Sequence, residues 1–238
     1  MSLYLCGMSD LHGYLPPLED IQNHEITVIC GDISPLNIQA NNRKMKKWLI
    51  DIFKPWAESL PSNRVYFIPG NHDISMFRDP DFMYHNFPIN EKVVYLNSSG
   101  DLYKAKDGNS YEIYGCPWCK SFGNWAFMTN DEELEKISSV IPNNLDILLC
   151  HDQPYGYGDI LLEYVPFHNE DEHIGNKILL GAILRKQPRY LFVGHLHSTE
   201  HSCVEIGVTK RYNVSLMTEK YEPLYDPLYL TIEPKKNK

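Results

Sequence analysis

Five short segments of the chain carry side chains able to hold a metal ion or move a proton, and each follows an apolar run. They are Asp10-Leu11-His12, Gly31-Asp32, Gly70-Asn71-His72-Asp73, His151-Asp152 and Gly194-His195-Leu196-His197. The runs ahead of them, residues 3–6, 26–30, 65–68, 145–150 and 190–193, are short and rich in Val, Ile, Leu and Tyr. Such runs suit strands buried on both faces. In an open α/β sheet a site forms beyond the carboxyl ends of the strands, so five strands would deliver Asp, Asn and His to one place. Asp10 and His12 alternate across one residue, as do His195 and His197. On extended strand ends each pair points the same way. With Asp32, Asn71 and His151 the two pairs supply seven oxygen and nitrogen donors. One ion rarely takes that many from a protein, whereas two ions sharing a bridging carboxylate use them all. Such a centre clamps the attacking and leaving oxygens of a phosphoryl displacement. The set holds no thiolate, which disfavours a structural zinc site and suits Mn, Fe or Zn with positions open to water and substrate. His24, His85, His168, His173 and His201 have no such context and read as surface or loop histidines.

The elements that must position these groups are legible around them. Further strand-like runs fall at residues 93–96 and 111–114. Met45, Trp48, Leu49, Ile52, Phe53 and Trp56 recur at helical spacing, and Pro55 should kink or end that helix. Leu134, Ile137 and Ile141 follow an acidic helix start, and Ile174, Ile178, Leu179, Ala182 and Ile183 make a third stripe stopped by Pro188. From Cys203 to Ile232 the pattern suggests a late antiparallel section, and residues 235–238 a frayed polar end. No repeat or linker divides the 238 residues, so one domain over 1–238 is expected.

Composition sets outer limits. With 22 Lys and Arg against 31 Asp and Glu, the net charge is −9. An acidic chain lacks the broad positive field of a general nucleic-acid binder. The basic cluster from Arg43 to Lys47 reads as the solvated face of its helix. No apolar run reaches bilayer length, and the short apolar start runs into Ser9-Asp10 without a basic flank. The expectation is therefore no membrane and a cytoplasmic location, with the 6 cysteines reduced.

The five blocks, in this order, resemble the signature of the calcineurin-like metallophosphoesterase superfamily. The resemblance implies an α/β fold, a two-sheet β-sandwich flanked by helices. It implies one metal on Asp10, His12, Asp32 and His197, and a second on Asp32, Asn71, His151 and His195, with Asp32 bridging. It makes His72 a non-ligand that faces the leaving group. Tyr114-Gly115-Cys116-Pro117-Trp118, Asn124-Trp125-Ala126-Phe127 and residues 151–156 are further similar to segments of the small metallophosphoesterase-domain-containing proteins known from animal brain and of their microbial relatives. That group is associated with phosphodiester hydrolysis, cyclic nucleotides included. Some animal members lack a histidine of the last block, and this sequence keeps both His195 and His197. Residues Ile33 to Leu36 do not match the arginine-bearing extension of the protein serine/threonine phosphatase branch.

The expected activity is hydrolysis of a small phosphoester or nucleotide, a phosphodiester first, by hydroxide held between two divalent ions (Mn, Fe or Zn). Asn71 and His195 would stabilise the phosphoryl oxygens, and His72 would protonate the leaving oxygen. Asp73 would hold the His72 imidazole, and Trp118, Trp125 or Phe127 would stack on a flat base. The rivals are a phosphomonoesterase or nuclease of the same fold, and a nucleotide-binding protein with little turnover. Cys116-Pro117-Trp118-Cys119 has the spacing of a dithiol redox pair. Its mid-chain place favours packing over redox chemistry.

Overall fold

The computed structural model describes residues 2–163, 168–169 and 171–235. Met1 and the end of the polar tail, residues 236–238, lie outside them. β1 (Leu3–Met8), β2 (Ile26–Cys30), β3 (Arg64–Ile68) and β4 (Val93–Tyr95) form a parallel sheet. A second sheet holds β5 (Ser99–Lys104) and β6 (Ser110–Cys116), then, after a small ribbon of β7 (Cys119–Lys120) and β8 (Met128–Thr129), β9 (Ile147–Cys150), β10 (Tyr190–Val193), β11 (Val204–Ile206) and β12 (Thr209–Asn213). Its order is β11-β12-β10-β9-β6-β5, and β6, β9, β10 and β12 run parallel. β13 (Leu228–Ile232) returns to the first sheet, antiparallel to β1. The tail is thus only partly antiparallel, because β12 also adds to β10 in parallel.

The two sheets lie face to face, as the side-chain alternation of their strands requires. Leu5 of β1, Val28 of β2 and Tyr66 of β3 point inward and meet Ile147 and Leu149 of β9 and Phe192 of β10. Their neighbours Cys6, Ile29 and Phe67 face the other way, onto helices. Those helices are α1 (Asn42–Trp48), α2 (Lys54–Ser59), α3 (Ile74–Arg78) and α4 (Pro80–Asn86), which contribute Met45, Ala57, Met76 and Met83. On the far side α5 (Asp131–Ser139) and α6 (Lys177–Lys186) cover Leu148, Leu191 and Val193. This is the two-sheet sandwich flanked by helices. Pro55 does not end its helix. It sits in the first turn of α2, directly after a π turn at Leu49–Phe53. The wider turn relieves the clash and the missing N–H that a proline brings to an α-helical ladder. The basic cluster on α1 is engaged locally, with Lys46 paired to Asp79 and Lys47 to Asp51.

Two consequences bear on the site. The C-terminal ends of β1, β2 and β3 meet those of β9 and β10 at one edge of the sandwich. A hollow of about 690 Å³ at the opposite edge, around His24, Pro61 and Lys106, has no candidate metal cluster among the described residues. No described helix is long and apolar enough to cross a membrane.

Candidate active site

The loop after β1 lies along the loop after β2. Asp10 N donates to Gly31 O at 2.9 Å and His12 N to Asp32 O at 2.8 Å. Asp10, His12, Asp32 and His195 all take positive φ, between 43° and 70°. Asp10 and His12 therefore share a side because of a left-handed turn, not because of the extended alternation expected from their spacing. His195 likewise lies beyond the strand. Such backbone is uncommon outside glycine, and Asp and His tolerate it better than most. Its clustering at this edge marks a place where geometry is held against local cost.

The glycines beside these residues are packing requirements. A Cβ on Gly31 would run into the His151 ring, one on Gly70 into the Asp32 carboxylate and His151, and one on Gly194 into Ser9 and Asp10. Gly70→Ala should therefore displace Asp32 and His151 and weaken metal binding by about 10–100-fold, the scale seen when groups supporting a metal ligand are disturbed. Calorimetric titration with Mn²⁺ checks this, and unchanged affinity would contradict it.

Seven donors converge at this edge. Ligand atoms of Asp10, His12 and His197 lie within 4.8 Å of one another, as do those of Asp10, Asp32 and His151. His197 Nε2 is 3.4 Å from Asp10 Oδ1 and 3.4 Å from His12 Nε2. Asp32 Oδ2 is 3.3 Å from His151 Nε2 and 3.8 Å from His12 Nε2, which places this carboxylate between the two groups. Asn71 Oδ1 is 3.0 Å from His151 Nε2, and the His195 ring is 5.0 Å from that of His151. The far nitrogens are committed elsewhere: His151 Nδ1 donates to Cys30 O at 2.7 Å and His197 Nδ1 to Thr218 O at 2.8 Å. Backbone carbonyls behind imidazoles fix the tautomer that leaves Nε2 as ligand.

The electrostatics fit a cation. Burial raises the cost of ionising Asp10 and Asp32. The histidines outweigh it, chiefly His197 for Asp10, held at about 2, and His151 for Asp32, held well below its ordinary value. Burial also pushes His151 and His197 down, yet Asp32 lifts His151 to about 10 and Asp10 lifts His197 to about 9. The two buried carboxylates thus draw positive charge to this spot. His12, driven down to about 4 by burial, has its Nδ1 buried with no hydrogen-bond partner among the described residues. Two imidazole nitrogens at 3.4 Å repel unless a proton or cation lies between them. Divalent ions satisfy this donor set of carboxylate, amide oxygen and imidazole.

His72 stands at the wall of a cleft of about 450 Å³ over these donors. Its Nδ1 donates to Gln39 Oε1 at 2.8 Å, and its ring lies 4.5 Å from Trp125. Burial pushes its pKa down, opposed by Asp32. Asp73 does not face it. That buried carboxylate accepts from Gly70 N at 2.7 Å, Ser34 N at 2.9 Å and Ile33 N at 3.3 Å, bracing the loops after β2 and β3. The expected role of Asp73 on the imidazole is replaced by Gln39. Trp118 is also displaced from its expected place, being packed edge-on against Phe77 and Phe127 rather than lining the cleft. Phe127 is buried in the same cluster. Trp125 does line the cleft, with Phe122 and Tyr221. Tyr221 meets the His12 and His197 rings edge-on at 4.7 and 5.5 Å. It lies in a polar loop that no motif flags. His168 and His173, expected as surface or loop histidines, also reach the cleft. Cys116 lies opposite Cys150 in the register of β6 and β9, and both it and Cys119 are free thiols.

A family model described as calcineurin-like phosphoesterase matches residues 5–199. Metallophosphoesterase domain-containing protein 1 of Homo sapiens is 26% identical over 258 aligned positions, spanning 98% of this chain and 72% of its own. An uncharacterized protein of Methanocaldococcus jannaschii is 25% identical over 222, spanning 89% and 87%. Among solved structures, one crystal structure superposes with a TM-score of 0.69 at 13% identity, covering 98% of this chain and 100% of that one. TT1561 of Thermus thermophilus superposes with a TM-score of 0.55 at 14% identity, covering 89% and 88%. At these identities the two structures speak to the fold alone.

Proposed function

Because the chain belongs to the calcineurin-like phosphoesterase family, and is on that ground a metal-dependent phosphoesterase, we propose that its substrates are small phosphodiesters with a flat aromatic part, cyclic nucleotides among them. The observation that carries this reading is the pairing of His72 with Trp125 at 4.5 Å beside the donor cluster. A proton donor and an aromatic wall face the same cleft. Charge supports the diester. Lys120 is the one Lys or Arg among the described residues lining the cleft, against Asp32, Asp152, Glu172 and Glu219. A diester brings one negative charge, whereas a monoester brings nearly two at neutral pH.

In this reading Asp10, His12 and His197 hold one divalent ion, Asn71, His151 and His195 hold the other, and Asp32 serves both. When bound, the ions supply an activated water and neutralise charge on the phosphoryl oxygens. The chain's own residues do the rest. Asn71 and His195 offer polar groups to the phosphate. Gln39 fixes the His72 ring through Nδ1, which leaves Nε2 to give a proton to the departing oxygen. A phosphate anion in the cleft favours the protonated ring. Asp152 holds the cleft floor, accepting from Lys120 N at 2.9 Å and Asn176 Nδ2 at 2.8 Å.

The test is hydrolysis of bis-p-nitrophenyl phosphate against p-nitrophenyl phosphate with added Mn²⁺. The reading requires preference for the diester. Preference for the monoester, or no turnover of either, would contradict it. Trp125→Ala should raise KM for the diester about tenfold, since stacking on an aromatic wall contributes ~1–3 kcal/mol. Its bound metal should not change. An unaltered KM would remove Trp125 from the substrate site.

A further inference from the structure

The donors counted above are oxygen and nitrogen, and the structure adds a sulfur. Cys119, the first residue of β7, is fully buried. Its Sγ and ligand atoms of His151 and His195 all lie within 4.8 Å of one another. Three atoms so spaced leave a point no more than about 2.8 Å from each, and zinc bonds run at ~2.0–2.3 Å. A closure of a few tenths of an ångström therefore brings all three onto one ion. The thiol's hydrogen bond to Pro117 O is long, 3.5 Å, and is easily given up. The backbone around it is firmly placed, with Cys119 N on Phe127 O at 2.8 Å and Lys120 N on Asp152 Oδ2 at 2.9 Å.

Resting on the reading of this site as a two-ion centre, we infer that Cys119 is a further ligand of the ion held by His151 and His195, and that it makes that position selective for a thiophilic divalent ion such as Zn²⁺ or Co²⁺ over Mn²⁺. The group formed by Asp10, His12 and His197 contains no sulfur, so the two positions differ in softness, and soft ligands select soft ions. The binding step replaces the thiol proton by the metal, the S–H bond breaking as the S–metal bond forms and one H⁺ passing to solvent. No oxidant or reductant takes part. The assignment also gives Cys119 a use that the C-x-x-C spacing did not suggest, independent of Cys116, which lies opposite Cys150 in the sheet and outside the Cys119–His151–His195 group.

The experiment is cobalt loading of the chelator-stripped protein, followed by absorbance. The wild type should show a near-ultraviolet thiolate-to-cobalt charge-transfer band, lost in Cys119→Ser and kept in Cys116→Ser. Cys119→Ser should weaken Zn²⁺ binding at one of two positions by about 10–100-fold, the range expected when a metal's supporting groups are removed, and leave Mn²⁺ affinity unchanged. Two bound cobalt ions without the band would overturn the role of Cys119 while leaving the two-ion centre standing. A band that survives Cys119→Ser would do the same. Failure to bind cobalt at all would overturn both.

Discussion

Asp32→Asn is expected to reduce turnover by at least ~10²–10³-fold, the scale on which removal of one preorganised electrostatic group acts, and to lower bound metal below two ions per chain. The effect follows from position. Asp32 Oδ2 lies 3.3 Å from His151 Nε2 and 3.8 Å from His12 Nε2, so one carboxylate faces both donor groups. Its other oxygen accepts from His72 N at 2.8 Å and so also sets the backbone of the residue proposed to give the proton. An amide keeps the shape, loses the charge and presents an NH₂ group where two ions need an anion. Metal analysis by atomic absorption, alongside turnover of bis-p-nitrophenyl phosphate, measures both effects. Normal turnover with two ions retained would show that Asp32 is not shared.

His72→Asn should act differently, leaving both ions in place and slowing the reaction according to the leaving group. His72 is not among the clustered metal donors of the described residues, and its Nδ1 is taken by Gln39. General acid catalysis contributes about 10²–10⁴-fold, or ~3–5 kcal/mol of barrier. That full loss is expected for alkyl or ribose leaving groups, whose alkoxides need a proton. p-Nitrophenolate leaves readily without one, so its loss should be much smaller. Variant to wild-type rate ratios across esters of graded leaving-group pKa measure the difference. An equal loss for every ester would assign His72 to holding the phosphate, and missing metal would make it a ligand or the support of one.

The sequence makes the strand ends legible because apolar run and polar block are adjacent in the chain. Asp32 follows β2 after the single residue Gly31, and His151 directly follows β9. Parallel packing then brings these ends together, and the order of blocks suffices to foresee one site. What is not legible depends on contacts between distant segments or on backbone torsion. The left-handed turns at Asp10 and His12 defeat an argument from strand alternation. Gln39 reaches His72 from 33 residues upstream with no motif around it. Asp73, adjacent to His72 in sequence, turns instead to Ser34 and Gly70 because their N–H groups are buried and need an acceptor. Trp118 and Trp125 are alike in type, and only the course of the chain into and through the β7–β8 ribbon packs one against the core cluster and puts the other on the cleft. Tyr221 arrives from the loop between β12 and β13, where composition gives no sign of function.

The central claim is that hydrolysis depends on two ions held by one constellation of donors. The most direct test strips the protein with a chelator, returns Mn²⁺ in measured steps, and follows diester hydrolysis against bound metal. Activity should rise with the second equivalent and reach its plateau at two ions per chain, and Asp32→Asn should reach no such plateau. Full activity at one ion per chain, or in the stripped protein, would contradict the account.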